Sequence, residues 1–394
     1  MLAIIAAFVA AAVWGMTARS EVPDVSDSRQ YAWAAWHLAH DGVFSEEAKS
    51  GPVQAAMGRE PGYPAFLGLL LKFAPGLGSV SPTCLSQEQG CGMAAWRPGL
   101  IANGAFIGLT AFTAFMATFW LSGSRLAAWL CEAHVCLNAQ AASGRGYLLS
   151  DYMAMMLVTV ASATLIWAIQ RGAWRWILTG LSFAALTLTK AIFLWLVIPA
   201  AFAAFLVMLM RRWTRAQILI ALALFALGYV PPVGAWMVRN AQIGHLFTLT
   251  AGRTAITLSA REVFNHMTPA QYGAAFMYWT RGFGDDLTKS KFPKEVWEPF
   301  ELYRPGSFYM EGQHRLDPEM SWLLRNGLTL AEADKILSTQ MIERILDKPI
   351  AYALSTFPLF WRGIWIDEFI VFSLPALVWL LISGIRSRRL DMHG

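Results

Sequence analysis

The sequence predicts an all-α polytopic membrane protein, a bundle of about eight transmembrane helices with two long outer segments that contain interfacial helices. Three observations predict it. Hydrophobic residues make up 56% of the 394 positions and charged ones 14%, well below the roughly 25% charge of soluble domains. Apolar runs of bilayer length recur near residues 2–18, 99–121, 125–142, 152–170, 174–190, 191–210, 216–237 and 366–385. Arg125, Arg171, Arg175, the "RRWTR" of 211–215 and the "RSRR" of 386–389 all fall on one side if both termini are cytoplasmic, as the positive-inside rule requires. The 18 Trp and 10 Tyr suit a chain with many bilayer interfaces. The net charge of +5 is no nucleic-acid signature, because the basic residues come in short groups without the aromatic interleaving of a strand binder.

The elements follow in order. Residues 1–18 read as a retained first span, since no basic leader region precedes the apolar run and no signal-peptidase site follows it. Residues 19–98 form the first outer segment. Within it, "SDSRQYAWAAWHLAHDG" (26–42) places apolar residues at 31, 34, 35 and 38, the spacing of one helix face. Trp33, Trp36, His37 and His40 suggest that this helix lies flat at headgroup level. Asp27 and Gln30 have the spacing of a capping box. After "REPGYP", Pro61 and Pro64 stiffen the start of a second helix over 63–73, and Gly62 permits a tight bend. Cys84 and Cys91 in "CLSQEQGC" face an oxidising side and are expected to pair.

Residues 99–237 carry the second to seventh spans. The weakest is 125–142, which contains Glu132 and His134; these are expected to satisfy a polar patch inside the bundle. Cys131 and Cys136 serve there as small apolar residues. Residues 238–365 form the second outer segment, long enough for a functional cover; within it the stretch 245–280 mixes aromatic, basic and His residues without a soluble-core pattern. "GFGDDLTKSKFPKE" reads as an exposed polar turn region with Asp285 and Asp286 solvated. The 331–347 stretch reads as an amphipathic helix, and "AYALSTFPLFWRGIWI" as interfacial. Residues 366–394 are the last span and a basic tail; a ninth span would carry Arg386–Arg389 to the outer side, against the charge rule.

The order Asp27-x-x-x-Tyr31, then "LAHDG", then "REPGYPAFLGLL" resembles the first outer loop of the C-type (GT-C) membrane glycosyltransferases. The likeness is nearest the branch of protein O-mannosyltransferases and the lipid A aminoarabinose transferase. Further along, Ser150-Asp151 opens the fourth span, where the family often has Ser-Glu. "LTKAIFLWLVIP" (187–199 region) is similar to the family's Leu-Thr-Lys segment, and "PPVGAWMVRNAQIGHLF" (231–247) to the end of its seventh span. Together these cover roughly residues 1–250; the stretch 250–365 has no residue-level match.

The resemblance implies a GT-C-like bundle and an enzyme that uses a sugar on a polyprenyl phosphate. An acidic residue of the first outer loop is the family's catalytic base, a role that falls on Asp27. Ser28 stands where many members have a second acid, and Asp24 could supply that charge. The site is expected on the outer face of a bacterial-type inner membrane. The acceptor is left open among lipid, glycan and protein. No cofactor is implied, and a divalent metal is compatible but not required.

Chemistry supports those residue types independently. A departing phosphate monoester is a stable anion, so the reaction needs a base for the acceptor hydroxyl and cations for the leaving charge. Direct attack inverts the anomeric centre. Lys190 and Arg239, at outer ends of spans, are candidate phosphate ligands, with Arg253 a third. Asp151 is a further catalytic candidate; Tyr31, Arg59, Tyr63 and His266 are candidates for the substrate pocket. Each has a simpler reading beside it: helix cap for Asp27 and Asp151, snorkelling cation for Lys190, interfacial anchor for Arg239. His37 and His40 read as interfacial polar groups, and no metal site is assigned. A polytopic lipid or sugar transporter is the rival function, disfavoured by the lack of internal repeats and paired broken spans. A non-catalytic GT-C-like scaffold is the third.

Overall fold

The computed structural model describes residues 26–48, 52–73, 93–137, 148–172, 174–280 and 283–364, with positions 2, 9 and 84. Among the described residues all regular structure is helical. The chain divides into two compact units, residues 1–250 and 251–394.

In the first unit the helices are α1 (Ser26–His40), α2 (Gly62–Phe73), α3 (Met93–Ser122), α4 (Arg125–Leu137), α5 (Ser150–Arg171), α6 (Arg175–Thr189), α7 (Leu194–Met210) and α8 (Arg215–Gly244). A single 3₁₀ turn, Ala191–Phe193, leads into α7. Four stretches are long and apolar enough to cross a membrane: Arg97–Ser122, Ser150–Arg171, Ala191–Met210 and Arg215–Gly244. They mark the chain as a helical membrane protein. The expected count of eight is larger. The runs at 2–18 and 366–385 lie outside the described residues. Of the run at 125–142 the described part is α4, with 13 residues, and positions 138–142 lie outside the described residues. α6 has 15 residues, so it rises only about 22 Å against a hydrocarbon core of about 30 Å.

α3 packs on α4 and α5, α5 on α6, and α6 on α8. The last crossing rests on two glycines. A Cβ on Gly180 would lie 2.2 Å from the Phe225 carbonyl oxygen, and one on Gly228 would lie 2.2 Å from that of Ile177. Without Cβ atoms the two backbones meet directly, the usual device where lipid supplies no hydrophobic drive between helices. α8 starts at a reciprocal capping box: the Thr214 hydroxyl accepts from Gln217 N, and Gln217 Oε1 accepts from Thr214 N at 2.9 Å. Outward, α7 and α8 expose Trp195, Ile198, Phe202, Leu219 and Ile220, a surface suited to lipid. Glu132 departs from expectation. It is 2% exposed, yet neither carboxylate oxygen has a hydrogen-bond partner among the described residues, so it satisfies no polar patch there.

The second unit comprises α9 (Thr254–Glu262), α10 (Pro269–Tyr278), α11 (Gly284–Lys291), α12 (Lys294–Trp297), α13 (Phe308–His314), α14 (Asp317–Arg325), α15 (Leu330–Leu346) and α16 (Pro349–Ile364). The stretch 245–280, expected to lack a soluble-core pattern, supplies Ala255, Ala274 and Ala275 to buried clusters. Ala255, Leu316, Leu337 and Met341 form one buried cluster, and Ala274, Ala275 and Phe300 another. Apart from α15, the helices that supply these clusters are short and contribute one or two residues each, which leaves no long period to read. The 284–291 stretch is helical rather than a turn, with Gly284 and Thr288 buried and Asp285 and Asp286 exposed. The amphipathic helix expected over 331–347 is α15. Asp334 ties it to α9, accepting from Ala255 N at 2.9 Å and from Gly252 N and Thr254 N at 3.2 Å, a carboxylate set on a helix N-terminus.

Candidate functional site

The site is built around Arg59. Its side chain is 4% exposed, and a buried guanidinium must find acceptors. Nη2 donates to Asp27 Oδ1, Nε donates to Gln30 Oε1 at 2.8 Å, and the guanidinium carbon lies 5.0 Å from the Tyr31 ring centre. All three partners stand on one turn of α1. Asp27 is therefore inside the helix, in its first turn, and both it and Gln30 face Arg59. The capping-box geometry expected from their spacing is replaced by a shared cation. The Asp27 side chain remains 40% exposed.

The three residues after Arg59 reach the other side of the site. Glu60 Oε1 accepts from Ala191 N at 2.8 Å, just past Lys190. Gly62 approaches the end of α6 so closely that a Cβ would lie 2.8 Å from Leu188 O and 2.7 Å from Thr189 Oγ1. The "REPG" stretch thus joins the start of α1 to the α6–α7 break. At that break Lys190 has extended backbone (φ −146, ψ 116), ending α6. Its Nζ donates to Asp151 Oδ1 at 2.6 Å, with Lys190 31% and Asp151 61% exposed. Asp151 lies in the first turn of α5, whose N-cap is Leu149 without a side-chain cap bond. The capping reading is replaced by an ion pair.

A second tie runs from α1 to α5. Tyr31 Oη lies 3.0 Å from Ser150 Oγ, and the Leu148 N–H donates to Ser28 Oγ at 3.1 Å. Tyr63 packs edge-on against Tyr31, centroids 5.3 Å apart, and its hydroxyl donates to Asn103 Oδ1 at 3.4 Å. Burial raises the Tyr31 phenol above its ordinary value, with the Arg59 charge and the Ser150 hydrogen bond opposing. Burial raises Tyr63 further, and neighbouring Tyr31, Asp151 and Tyr152 add to it. Both phenols are neutral, able to hydrogen-bond but not to serve as anions.

Six of the sequence candidates, Asp27, Tyr31, Arg59, Tyr63, Asp151 and Lys190, are thereby connected through named contacts. Arg239 makes a separate set of contacts. Its Nη1 donates to Ala56 O at 2.7 Å and to Asn240 Oδ1 at 2.8 Å, and Nη2 donates to Phe44 O at 3.3 Å. The guanidinium also lies 4.4 Å from the Trp236 ring centre. Asn240 donates to Thr248 O and Leu249 O. Arg239 thus holds the carbonyls of Phe44 and Ala56, the latter three residues before Arg59, and Asn240 ties Arg239 to the Thr248–Leu249 backbone. Asp24 lies outside the described residues. Arg253 and His266 belong to the second unit. Arg253 is exposed at the start of α9, and His266 Nε2 lies 3.0 Å from Glu262 Oε1. Arg315 donates to the other Glu262 oxygen at 2.7 Å. Burial alone would raise the Glu262 carboxyl, but the hydrogen bonds and charges of His266 and Arg315 bring it below its ordinary value.

His37 is buried rather than interfacial, between the Asp41 carboxylate at 2.6 Å and the Glu47 carbonyl at 3.0 Å. His40 stacks on Trp36 at 4.3 Å. Among the described residues no group of three or more His, Cys, Asp or Glu could hold a metal ion. Cys84 is disulfide-bonded, Cys131 and Cys136 are free, and Cys91 lies outside the described residues. Sequence reasoning missed Glu60 and Asn103. Glu60 stood inside a quoted motif, and Asn103 is a polar residue in an otherwise apolar span, a signal that is informative in membranes. Neither a family model nor a curated protein matches this chain.

Proposed function

We propose that the chain is an inverting glycosyltransferase that moves a sugar from a polyprenyl-phosphate donor to an acceptor hydroxyl at the outer face of a bacterial-type inner membrane. One observation carries the reading: "REPG" joins a half-exposed carboxylate, Asp27, to the region of a half-exposed cation, Lys190, within a polar cluster at the ends of apolar helices. Asp27 takes the acceptor proton. The acceptor oxygen then forms a bond to the anomeric carbon while that carbon's bond to the phosphate oxygen breaks, its electron pair leaving with the phosphate. Lys190 stabilises the departing anion, and its ion pair with Asp151 holds it in place between turnovers. Tyr31 and Tyr63, buried and neutral, do not contact the sugar; they hold the start of α1 against α5 and that of α2 against α3 beneath the site. Arg239 supports this arrangement by fixing the loop before Arg59 rather than by touching phosphate.

The direct test compares envelope glycolipids and glycans by mass spectrometry in cells with and without the gene. Loss of one sugar from one envelope component is expected. Identical profiles, together with no transfer by the purified protein from any polyprenyl-phosphate sugar of that membrane, would overturn the proposal.

A further inference from the structure

The opposite end of the helices holds a cleft that the transfer reaction does not use. α5 has 22 residues, about 33 Å of helix rise, so Asp151 and Arg171 stand at opposite ends of it. Beside Arg171 a cleft of about 370 Å³ opens against the turn between α7 and α8, lined by Gln170, Arg171, Trp176, Arg211, Trp213 and Gln217.

Donors are in excess there. Between Asp151 and Glu262 the sequence contains no acidic residue, and no carboxylate lines the cleft. Trp176 is 4% exposed, and its Nε1–H has no acceptor among the described residues. Arg211 Nε is likewise buried without a partner, while its Nη1 makes only a long bond of 3.4 Å to Ile169 O. The positive-inside rule accounts for arginines at this end. It does not account for donors that are buried and unmatched, which folding alone disfavours. Matching them calls for an anionic acceptor, and guanidinium with N–H suits a phosphate.

The same cleft also runs onto apolar side chains, Ile169, Ile220 and Leu224, and Ile220 is 59% exposed on the outward face of α8. A basic cleft that continues onto a lipid-facing surface fits an amphiphile better than a free ion. We propose that this cleft binds an anionic phospholipid, its phosphate diester accepting from Arg211 and the Trp176 indole N–H, with an acyl chain along that face of α8. Basic pockets between spans on this side are chemically suited to such headgroups. The proposal stands on this geometry and does not depend on the transferase reading.

The test uses the full chain purified in detergent, loaded with phosphatidylglycerol or phosphatidylcholine, and native mass spectrometry to count retained lipid. Wild type should retain phosphatidylglycerol in preference. Arg211→Gln should weaken that retention by about tenfold or more, since a charge-assisted contact is lost. Trp176→Phe keeps the ring and removes only the donor, and should weaken retention several-fold; Trp174→Phe, exposed and outside the cleft, should not. If Arg211→Gln fails to fold, Trp176→Phe carries the test alone. Equal retention of both lipids, or retention by Trp176→Phe equal to wild type, would overturn the proposal. So would displacement of phosphatidylglycerol by millimolar inorganic phosphate, because the site would then take the free ion.

Discussion

Replacing Asp27 with Asn separates catalysis from scaffolding, because the two effects differ in size. Asp27 accepts from Arg59, a side chain only 4% exposed, while Asp27 itself is 40% exposed. An Asn amide oxygen can still accept from Arg59, so only the charge assistance is lost. A charged hydrogen bond contributes about 1.5–3 kcal/mol and a neutral one about 0.5–1.5. Water on the open side of Asp27 screens part of that difference. The expected stability loss is therefore about 1 kcal/mol. Turnover should fall far more. An amide cannot take the acceptor proton, and general-base catalysis is typically worth about 10²–10⁴-fold, or about 3–5 kcal/mol of barrier. The assay measures sugar transfer from polyprenyl-phosphate donors by purified protein, with the folded fraction followed by thermal unfolding. A folded Asp27→Asn variant that transfers within about twofold of wild type would refute the reasoning, since general-base loss costs at least about a hundredfold.

Two further outcomes follow from the geometry. Gly180→Ala forces a Cβ to within 2.2 Å of the Phe225 carbonyl oxygen, so α6 and α8 must separate; a loss of about 1–3 kcal/mol or more is expected, read as a lower melting temperature, and an unchanged one would exclude the close crossing. Glu262 has a folded-state pKa below its ordinary 4.5, so its stabilisation is present above that pH and lost as the pH falls through the lower folded value. Glu262→Gln should flatten the acid limb of the melting temperature against pH; a limb of unchanged slope would show that the His266–Glu262–Arg315 contacts do not contribute to it.

The legibility of this protein in its sequence was uneven for physical reasons. Long apolar runs report themselves, since composition over about twenty residues suffices to name a span. α3, α5, α7 and α8 were legible on that ground. α2 was legible from its prolines and apolar run, and starts one residue before the expected 63. Short helices of the second unit were not. α11 reads as a turn because "GDDLTKSK" is polar on most faces, and only Gly284 and Thr288 point inward.

What the sequence by itself determined is the class of protein, a helical membrane protein, and which residue types stand at positions where acid–base or phosphate chemistry could be proposed. Those properties depend on composition and local spacing. The partners of those residues were decided only in three dimensions. Asp27 and Gln30 have the spacing of a cap, yet Arg59, from a loop 32 positions past Asp27, gathers both. Lys190 meets Asp151 across 39 positions, and Arg239 meets the carbonyl of Ala56 across 183. A cation takes whichever acceptor the packed chain brings within reach once it is withdrawn from water, and no local pattern records which one that will be.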